Sequence, residues 1–383
     1  MKILVTGGAG FIGKWVIDSL PANTEIVIID SLEPQVHKTS QDFAPELKAR
    51  AICIKDDVQN IEAYRDVVEG TDTVIHLASQ TGTGQSMYEL SKYVQHNANG
   101  TAKLLELISS LHHKPRRIIL SSSRAIYGEG AYTDGKEVYY PKGRNLNDLK
   151  QGKWEIYSDR DCKERTSRGE QLSVLPMGET QLPNPTSVYG LTKLWQEQLL
   201  QNYCESQNID LAILRFQNVY GPKQELGNPY TGIIGIFTNA VVQGNTVELF
   251  EDGLMTRDFV FVKDVAEAVV KCAFYQKPLD AVINIGSAQA VTLLELVQTL
   301  AKLTKKEEKI TVSGRFRVGD IRHAVADMST FANIFGQWTP TPLEKGLAQY
   351  LDWYLQQSPV DKTALELSLA EMEQKGLLIS KHS

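Results

Sequence analysis

Three groups of residues have the types and spacing to do chemistry. Tyr189 and Lys193 stand four apart in YGLTK, at the start of a helical stretch reaching about Ser206. Residues four apart share a helical face, so the phenol and the ammonium point the same way. A nearby cation favours phenolate and draws a phenol below its ordinary pKa of about 10. A phenol tuned in this way can exchange a proton with an alcohol near neutral pH. Taken alone, the same spacing also describes an ordinary solvated helix face. The second group is Ser121, Ser122 and Ser123, at the end of the apolar run RRIILSSS. If that run is a strand, the serines stand at its carboxyl end, where open α/β sheets collect ligands; serines are ordinary loop residues too. The third is Arg257 with Asp258, between two strand-like segments. A guanidinium there could hold a phosphate by a forked contact, or the two could form a surface ion pair.

The elements that must position these groups begin at the N-terminus, MKILVTGGAGFIG. Lys2 to Thr6 read as a strand, and Gly7, Gly8, Gly10 and Gly13 follow where a strand should turn into a helix starting near Phe11. Glycine serves there because the chain reverses tightly and a pyrophosphate must approach bare backbone. The helix N-terminus offers unpaired N–H groups and a positive dipole end to that anion. A second strand, Glu25 to Ile29, ends in Asp30, the acidic residue expected on an adenosine ribose. Asp30 would repel a ribose 2′-phosphate, and Ser31 and Leu32 supply no cation, so NAD is favoured over NADP.

Strands and helices continue to alternate, as in a parallel sheet covered on both faces. Ala51 to Lys55 read as a strand leading to Asp56, Asp57 and Val58, which could line an adenine pocket or cap the next helix. Thr73 to Leu77 form the next strand, followed by small residues that let a cofactor pass close; His76 within it reads as a packed core histidine. One helix is expected over Tyr88 to Leu111, and further strands over Arg116 to Ser122, Leu211 to Phe216 and Val282 to Ser287. Helices are expected over Thr231 to Gly244 and from Thr292, and VELF reads as a short strand. Glu129 to Leu182 departs from the pattern, being polar and turn-rich, and reads as an insertion near the mouth of the site. Its aromatics Tyr132, Tyr139, Tyr140 and Trp154 argue against wholesale disorder. Pro359 to Ser383 could form one amphipathic helix.

The 383 residues allow one large core and a second lobe. A net charge of -6 argues against nucleic acid or a membrane surface as partner. No apolar run approaches the ~18 residues that span a bilayer, and the chain opens directly on a strand, so a cytoplasmic location is expected. Cys53, Cys162, Cys204 and Cys272 lie far apart, so reduced thiols are expected, with neither disulfides nor a metal site.

Taken together, TGGAGFIG, Asp30, DDV, HLASQ, NANGT, SSSRAIYG, YGLTK, RFQNVYGP, TRDFVFVKDV, NIGS and RVGDIRHAVAD resemble the extended short-chain dehydrogenase/reductase family of nucleotide-sugar epimerases and dehydratases. The resemblance covers about residues 1 to 355 and departs from the family in the long insertion. It implies a Rossmann-type doubly wound parallel sheet with a smaller α/β substrate-capping lobe. Residues 1–222 would form the NAD-binding domain, interrupted by the 129–182 insertion and rejoined by 257–283. Residues 223–256 and 284–356 would form the nucleotide-sugar lobe, with 357–383 as a tail.

Residue by residue, the resemblance makes Tyr189 the catalytic tyrosine, Lys193 its partner and Ser123 the hydroxyl that bonds the reacting oxygen. It assigns Gly7, Gly10, Phe11, Ile12, Gly13, Asp30, Asp57, Val58, Leu77, Ala78, Gln80 and Asn97, with Tyr189 and Lys193, to the NAD site. Ser123, Arg124, Asn218, Arg257, Arg317 and Asp320 fall to the nucleotide sugar. Family dehydratases place an Asp-Glu pair after the serine or threonine, to move a proton at C5 and expel a hydroxyl at C6. Here Arg124 and Ala125 stand there, so dehydration is disfavoured and redox at C4 remains. The expected activity is NAD-dependent 4-epimerisation. TGTGQSMYE and the loop after YGEG look most like the bacterial enzymes of dTDP-6-deoxyhexoses, dTDP-L-rhamnose 4-epimerases in particular. A 4-ketoreductase consuming NADH is the nearest alternative, and a non-catalytic NAD-responsive binding protein is one of another class. The family also implies a homodimer, packed through helices at Tyr88 to Leu111 and Val188 to Ser206.

Overall fold

The computed structural model describes residues 1–37, 42–158, 169, 171–228, 232–358 and 363–380. Seven apolar runs become the strands of one sheet: β1 (Lys2–Thr6), β2 (Glu25–Asp30), β3 (Ile52–Lys55), β4 (Thr73–His76), β5 (Arg117–Ser123), β6 (Asp210–Phe216) and β7 (Ala281–Ile285). They lie in the order β7-β6-β5-β4-β1-β2-β3, every pair parallel. A parallel sheet is covered on both faces, which is why most of these strands carry a run of hydrophobic residues through their middles. Alternate side chains still go opposite ways. Ile3 and Val5 join Ile17, Ile28, Leu214 and Val269 on one face, while Leu4 joins Val27, Leu104, Ile118 and Leu200 on the other. Each such side chain contributes about 1.5–3 kcal/mol by leaving water.

The chain leaves β1 toward β2 and later returns on β1's other side as β4. This reversal opens a crevice at the carboxyl ends of the strands. Register sets Thr6 beside His76 and Ser123 beside Phe216, so the glycine turn, the loop after β4 and the end of β5 open onto one edge. His76 is a core histidine as expected, buried against Thr6, Thr101 and Gln196.

A smaller lobe carries the helices Ile233–Val242, Leu293–Thr304 and Leu343–Tyr354 and the parallel pair Val247–Leu249 and Ile310–Val312. They close around Phe237, Leu249, Leu296, Leu300, Leu347 and Tyr350. Thr292 and Glu295 form a capping box that starts the second of these helices.

Several expectations need correction. The Ser329–Phe335 helix, assigned above to the lobe, packs with Phe331 and Met328 in the same cluster as Ile283 of β7 and so joins the cofactor half. The helix expected from Tyr88 begins at Leu90 and contains a π-helical turn, Val94–Asn99, before continuing as Gly100–Ser110. The described part of the insertion is ordered, as its aromatics suggested. Its Ala131–Thr133, Val138–Tyr139 and Ser173–Leu175 strands form an antiparallel sheet, because Tyr132, Tyr139, Ile156 and Leu172 supply a core of their own. The tail is a helix, Thr363–Gln374, followed by the strand Leu378–Ile379, which pairs antiparallel with Phe316–Arg317. Cys53, Cys204 and Cys272 are free thiols, and Cys162 lies outside the described residues. No described helix is long and apolar enough to cross a membrane.

Candidate active site

At the end of β5, Ser123 Oγ accepts a hydrogen bond from Ala125 N at 3.1 Å and starts a short turn, Arg124–Tyr127. The helix Val188–Gln207 begins opposite, capped by Ser187, whose Oγ accepts from Gly190 N at 3.1 Å. The two meet so closely that a Cβ on Gly190 would fall 2.6 Å from Ala125 O. With glycine there, the phenol of Tyr189 comes near enough to Ser123 for that hydroxyl to favour the phenolate. Lys193, one turn on, donates from Nζ to Ser121 O at 2.7 Å. All three line one cavity of about 590 Å³.

The expected lowering of the phenol pKa is corrected here. Burial raises Tyr189 above its ordinary value, against the hydrogen bond with Ser123 and the charge of Arg124. Burial also draws Lys193 down to about 7, with Glu197 opposing. The ammonium is directed at the Ser121 carbonyl, the cation acting on the ring is Arg124, and desolvation outweighs it. Beneath this trio runs a buried chain that sequence reasoning missed. Ser122 donates to Glu197, Glu197 pairs with Arg215 at 2.7 Å, Arg215 donates to the Tyr127 hydroxyl at 2.9 Å, and Tyr127 donates to Asn284 at 2.8 Å. Glu197 follows Lys193 by four residues on the same face, a signal that was available. Ser86, which accepts from Tyr189 N at 3.0 Å, had no such signal.

On the cofactor side, Gly7 sits at φ +71°, and a Cβ there would lie 2.7 Å from Ala78 N, so the turn packs directly on the loop after β4. Gly10, Phe11, Ile12 and Gly13 open the helix Phe11–Ser19 onto the cavity, which Asp30, Asp57, Val58, Leu77, Ala78 and Gln80 also line. Asp57 fills both roles left open above. It faces the cavity and caps the next turn, accepting from Gln59 N at 2.8 Å. Asn97 is the exception. Fully buried in the π turn, it accepts from Gln80 N at 2.7 Å, and donates to Gln80 O at 3.1 Å and to Thr192 at 3.0 Å. It fixes Gln80 and the Tyr189 helix without lining the cavity itself.

Asp30 accepts from Ala9 N and Leu32 N, each at 2.9 Å. Ser31 and Leu32 supply no cation, and the basic side chains nearby come from elsewhere: His37 Nε2 lies 3.7 Å away and Lys14 shares the lining. Burial lowers both pKa values, which keeps the imidazole neutral at pH 7 and leaves the carboxylate facing the cavity. An anion-binding helix end, a backbone stripped of side chains and a ribose-facing carboxylate together fit NAD.

On the substrate side, Ser123, Arg124 and Asn218 line the cavity, and Arg124 Nε donates to Asn218 Oδ1 at 3.2 Å. Arg257, Arg317 and Asp320 are not among its described lining residues. They stand behind Arg124, with Arg257 Nη2 at 2.9 Å from Asp320 Oδ1. Arg257 and Asp258 are no surface pair. Arg257 turns to Asp320 and to the carbonyls of Ile321 and Arg322, while Asp258 is fully buried and accepts from Ser287, Ala288 and Ala326. Burial, then the neighbouring Arg257, takes Arg124 down to about 10. Burial would raise Asp320, but Arg257, Arg317, Arg144 and Arg124 together hold it below the usual carboxylate value. Arg317 Nε is buried without a partner among the described residues, its guanidinium 5.2 Å over the Phe250 ring.

The insertion reaches this cluster through its charges; none of its described residues lines the cavity, and residues 159–168 and 170 lie outside the described residues. Arg144 lies 3.2 Å from Glu129 and 2.7 Å from Glu251. Arg322, with no exposed surface, reaches Glu155 of the insertion and lies 2.7 Å from Asp252 and 3.1 Å from Glu251. Burial would push Glu155 up, but His323 and Arg322 hold it at about 2. Glu129, more deeply buried, is pushed up to about 6.

Comparison with known proteins agrees with this architecture. The NAD dependent epimerase/dehydratase family matches residues 3–145 and 168–286. A dTDP-L-rhamnose 4-epimerase from Burkholderia thailandensis is 38% identical over 364 residues, 93% of this chain and 95% of that protein. Among solved structures, a UDP-N-acetylglucosamine 4-epimerase from Methanobrevibacter ruminantium in complex with UDP-N-acetylmuramic acid superposes with a TM-score of 0.73 at 26% identity, over 93% of this chain and 99% of the other. A UDP-glucuronic acid 4-epimerase from Bacillus cereus in complex with UDP-glucuronic acid and NAD matches with the same score, identity and coverage. The chain therefore belongs to the NAD dependent epimerase/dehydratase family. It is an NAD-dependent enzyme of the extended short-chain dehydrogenase/reductase type.

Proposed function

We propose that this enzyme interconverts the C4 epimers of a nucleotide sugar, with a dTDP-6-deoxyhexose as substrate. The observation that carries the reading is the meeting of Ser123, Tyr189 and Lys193 on the dinucleotide cavity, with Arg124 and Ala125, and no carboxylic acid, directly after Ser123. The cavity's lining carboxylates, Asp30, Glu33, Asp42, Asp56, Asp57 and Glu225, lie elsewhere, on the loops after β2 and β3 and on the 223–228 segment. A dehydratase needs an acid and a base beside the sugar; an epimerase needs one proton exchanger. The choice of base and sugar is supported by the 38% identical relative.

Tyr189 must act as the phenolate, the form that Ser123 and the Arg124 charge favour against burial. It takes the proton of the C4 hydroxyl as the hydride leaves C4, and returns it after the sugar has turned its other face. Bound NAD supplies the hydride acceptor and donor at C4. Ser123 bonds the same oxygen and keeps it in reach of the phenol. Lys193 lies under the site and orients the nicotinamide ribose. Arg124, Arg257 and Arg317 hold the diphosphate, for which paired guanidinium donors suit the geometry, with Asp320 limiting their mutual repulsion. The protein should work as a homodimer. Leu90 and Val94, each 49% exposed, and Leu191 and Trp195, at 53% and 41%, lie on two neighbouring helices and form an apolar face suited to a second copy. A monomeric mass by light scattering would remove this point.

The test is to supply the purified protein with dTDP-L-rhamnose and no reductant and to follow C4 by NMR. Appearance of the C4 isomer supports epimerisation. Turnover of a 4-keto precursor only with stoichiometric NADH would replace it with the ketoreductase. Conversion of UDP-hexoses in preference to dTDP-hexoses would overturn the substrate assignment alone.

A further inference from the structure

The C-terminal segment spans both halves of the cleft. On the substrate side, its strand sets Leu378 opposite Arg317 and Ile379 opposite Phe316, and Leu377 O accepts from Val318 N at 2.9 Å. Ile379 also packs on Leu149, Trp154 and Phe316. Glu373, in the preceding helix, forms an ion pair with Arg315. Beside the Tyr189 helix, Met372 is buried, with its Sδ 3.6 Å from where a Cβ on Gly84 would stand, and Lys375 Nζ lies 4.3 Å over the Tyr88 ring. Gly84 belongs to the turn Thr83–Ser86, whose Ser86 bonds Tyr189 N.

We propose that Thr363–Ser380 is a positioning segment of the substrate site: Leu378 holds the backbone of Arg317 in place for an anionic ligand, and Met372 holds the Thr83–Ser86 turn against the Tyr189 helix. A two-residue strand has too few ladder bonds of its own to stand alone, so Phe316–Arg317 takes its shape from its partner. Fixing a long cationic side chain before the ligand arrives lowers the ordering entropy that binding must otherwise overcome. The glycine turn, Asp30 and Asp57 touch none of these residues, so the segment acts on sugar-nucleotide binding and leaves NAD binding unchanged. The inference rests on the reading of Arg317 as a diphosphate contact.

The test uses the full chain with Met372→Glu and Leu378→Ala, and with Met372→Leu and Leu378→Ile as conservative counterparts of similar volume. NAD content per chain, KM and kcat for the sugar nucleotide, and calorimetric binding of thymidine diphosphate are measured on each. Leu378→Ala should raise KM and the thymidine diphosphate Kd about tenfold or more, with kcat changing less than about threefold. Met372→Glu should also lower kcat about tenfold through the Tyr189 helix, and NAD content should be constant in both. The conservative pair should restore both constants. Unchanged constants in the disruptive pair, or NAD content falling together with binding as in a simple loss of fold, would overturn the proposal. If no sugar nucleotide is turned over but thymidine diphosphate binding weakens as stated, the epimerase reading fails and the positioning role stands. If the unaltered chain binds no thymidine diphosphate, the positioning role falls too.

Discussion

Around the glycine turn, groups facing the cavity are held largely by their own neighbourhoods. Asp57 bonds Gln59 two residues on, Asp30 bonds Leu32 two residues on, and the pyrophosphate turn is the junction of β1 with its own helix. Around Arg257 and Arg317, almost nothing is local. Arg322 is neutralised by Glu155 from the insertion and by Glu251 and Asp252 from the lobe, Arg144 reaches Asp320 O at 2.8 Å across 176 residues, and the Arg317 strand is completed by the tail. The first half needs conformations that short stretches can encode. The second needs charges that are tolerated in the interior only when remote partners arrive together. That difference teaches where each half is fragile: local bonds can be lost singly, whereas a buried ionic network fails as a unit.

Three substitutions test the contrast. Tyr189→Phe acts where the halves meet and should have the largest effect, lowering kcat by about 10² to 10⁴, the scale of a lost general acid-base group. NAD released on unfolding should match the unaltered protein. Near-normal turnover would remove Tyr189 from the chemistry, and lost NAD would mean that the two halves are less separable than drawn. Arg322→Met strikes the network away from the cavity. It leaves Glu155, Glu251 and Asp252 without their common cation and should cost about 3–5 kcal/mol in chemical denaturation. A loss below ~1 kcal/mol would break the comparison, since the network would then behave like surface pairs. Asp57→Ala removes a local cap and should cost only about 1 kcal/mol of stability, with weaker NAD binding by titration. A loss as large as that of Arg322→Met would show that the cofactor half is also held as a unit.

The same division governs what could be read ahead of the coordinates. Strand positions, the glycine turn, Asp30 and the Tyr189–Lys193 pair were legible because each depends on a short run with a fixed period. The insertion's small sheet was missed because its core comes from four aromatic and aliphatic residues scattered among polar ones. The role of Asn97 was missed because a π turn shifts a helix face without marking the composition. The phenol's pKa was read in the wrong direction because spacing reveals a nearby cation and says nothing of burial.

By itself, then, the sequence determined the order of the elements, the dinucleotide turn and the side-chain types at Ser123, Tyr189 and Lys193, since these follow from local sterics and periodicity. Only the tertiary structure decided that Arg257 serves Asp320 and not Asp258, that the Arg317 strand pairs with residues some sixty positions away, and that Arg144 and Glu155 of the insertion pair with Glu251 and Arg322. Interior charges choose partners by distance and desolvation, and neither quantity exists until the chain has closed.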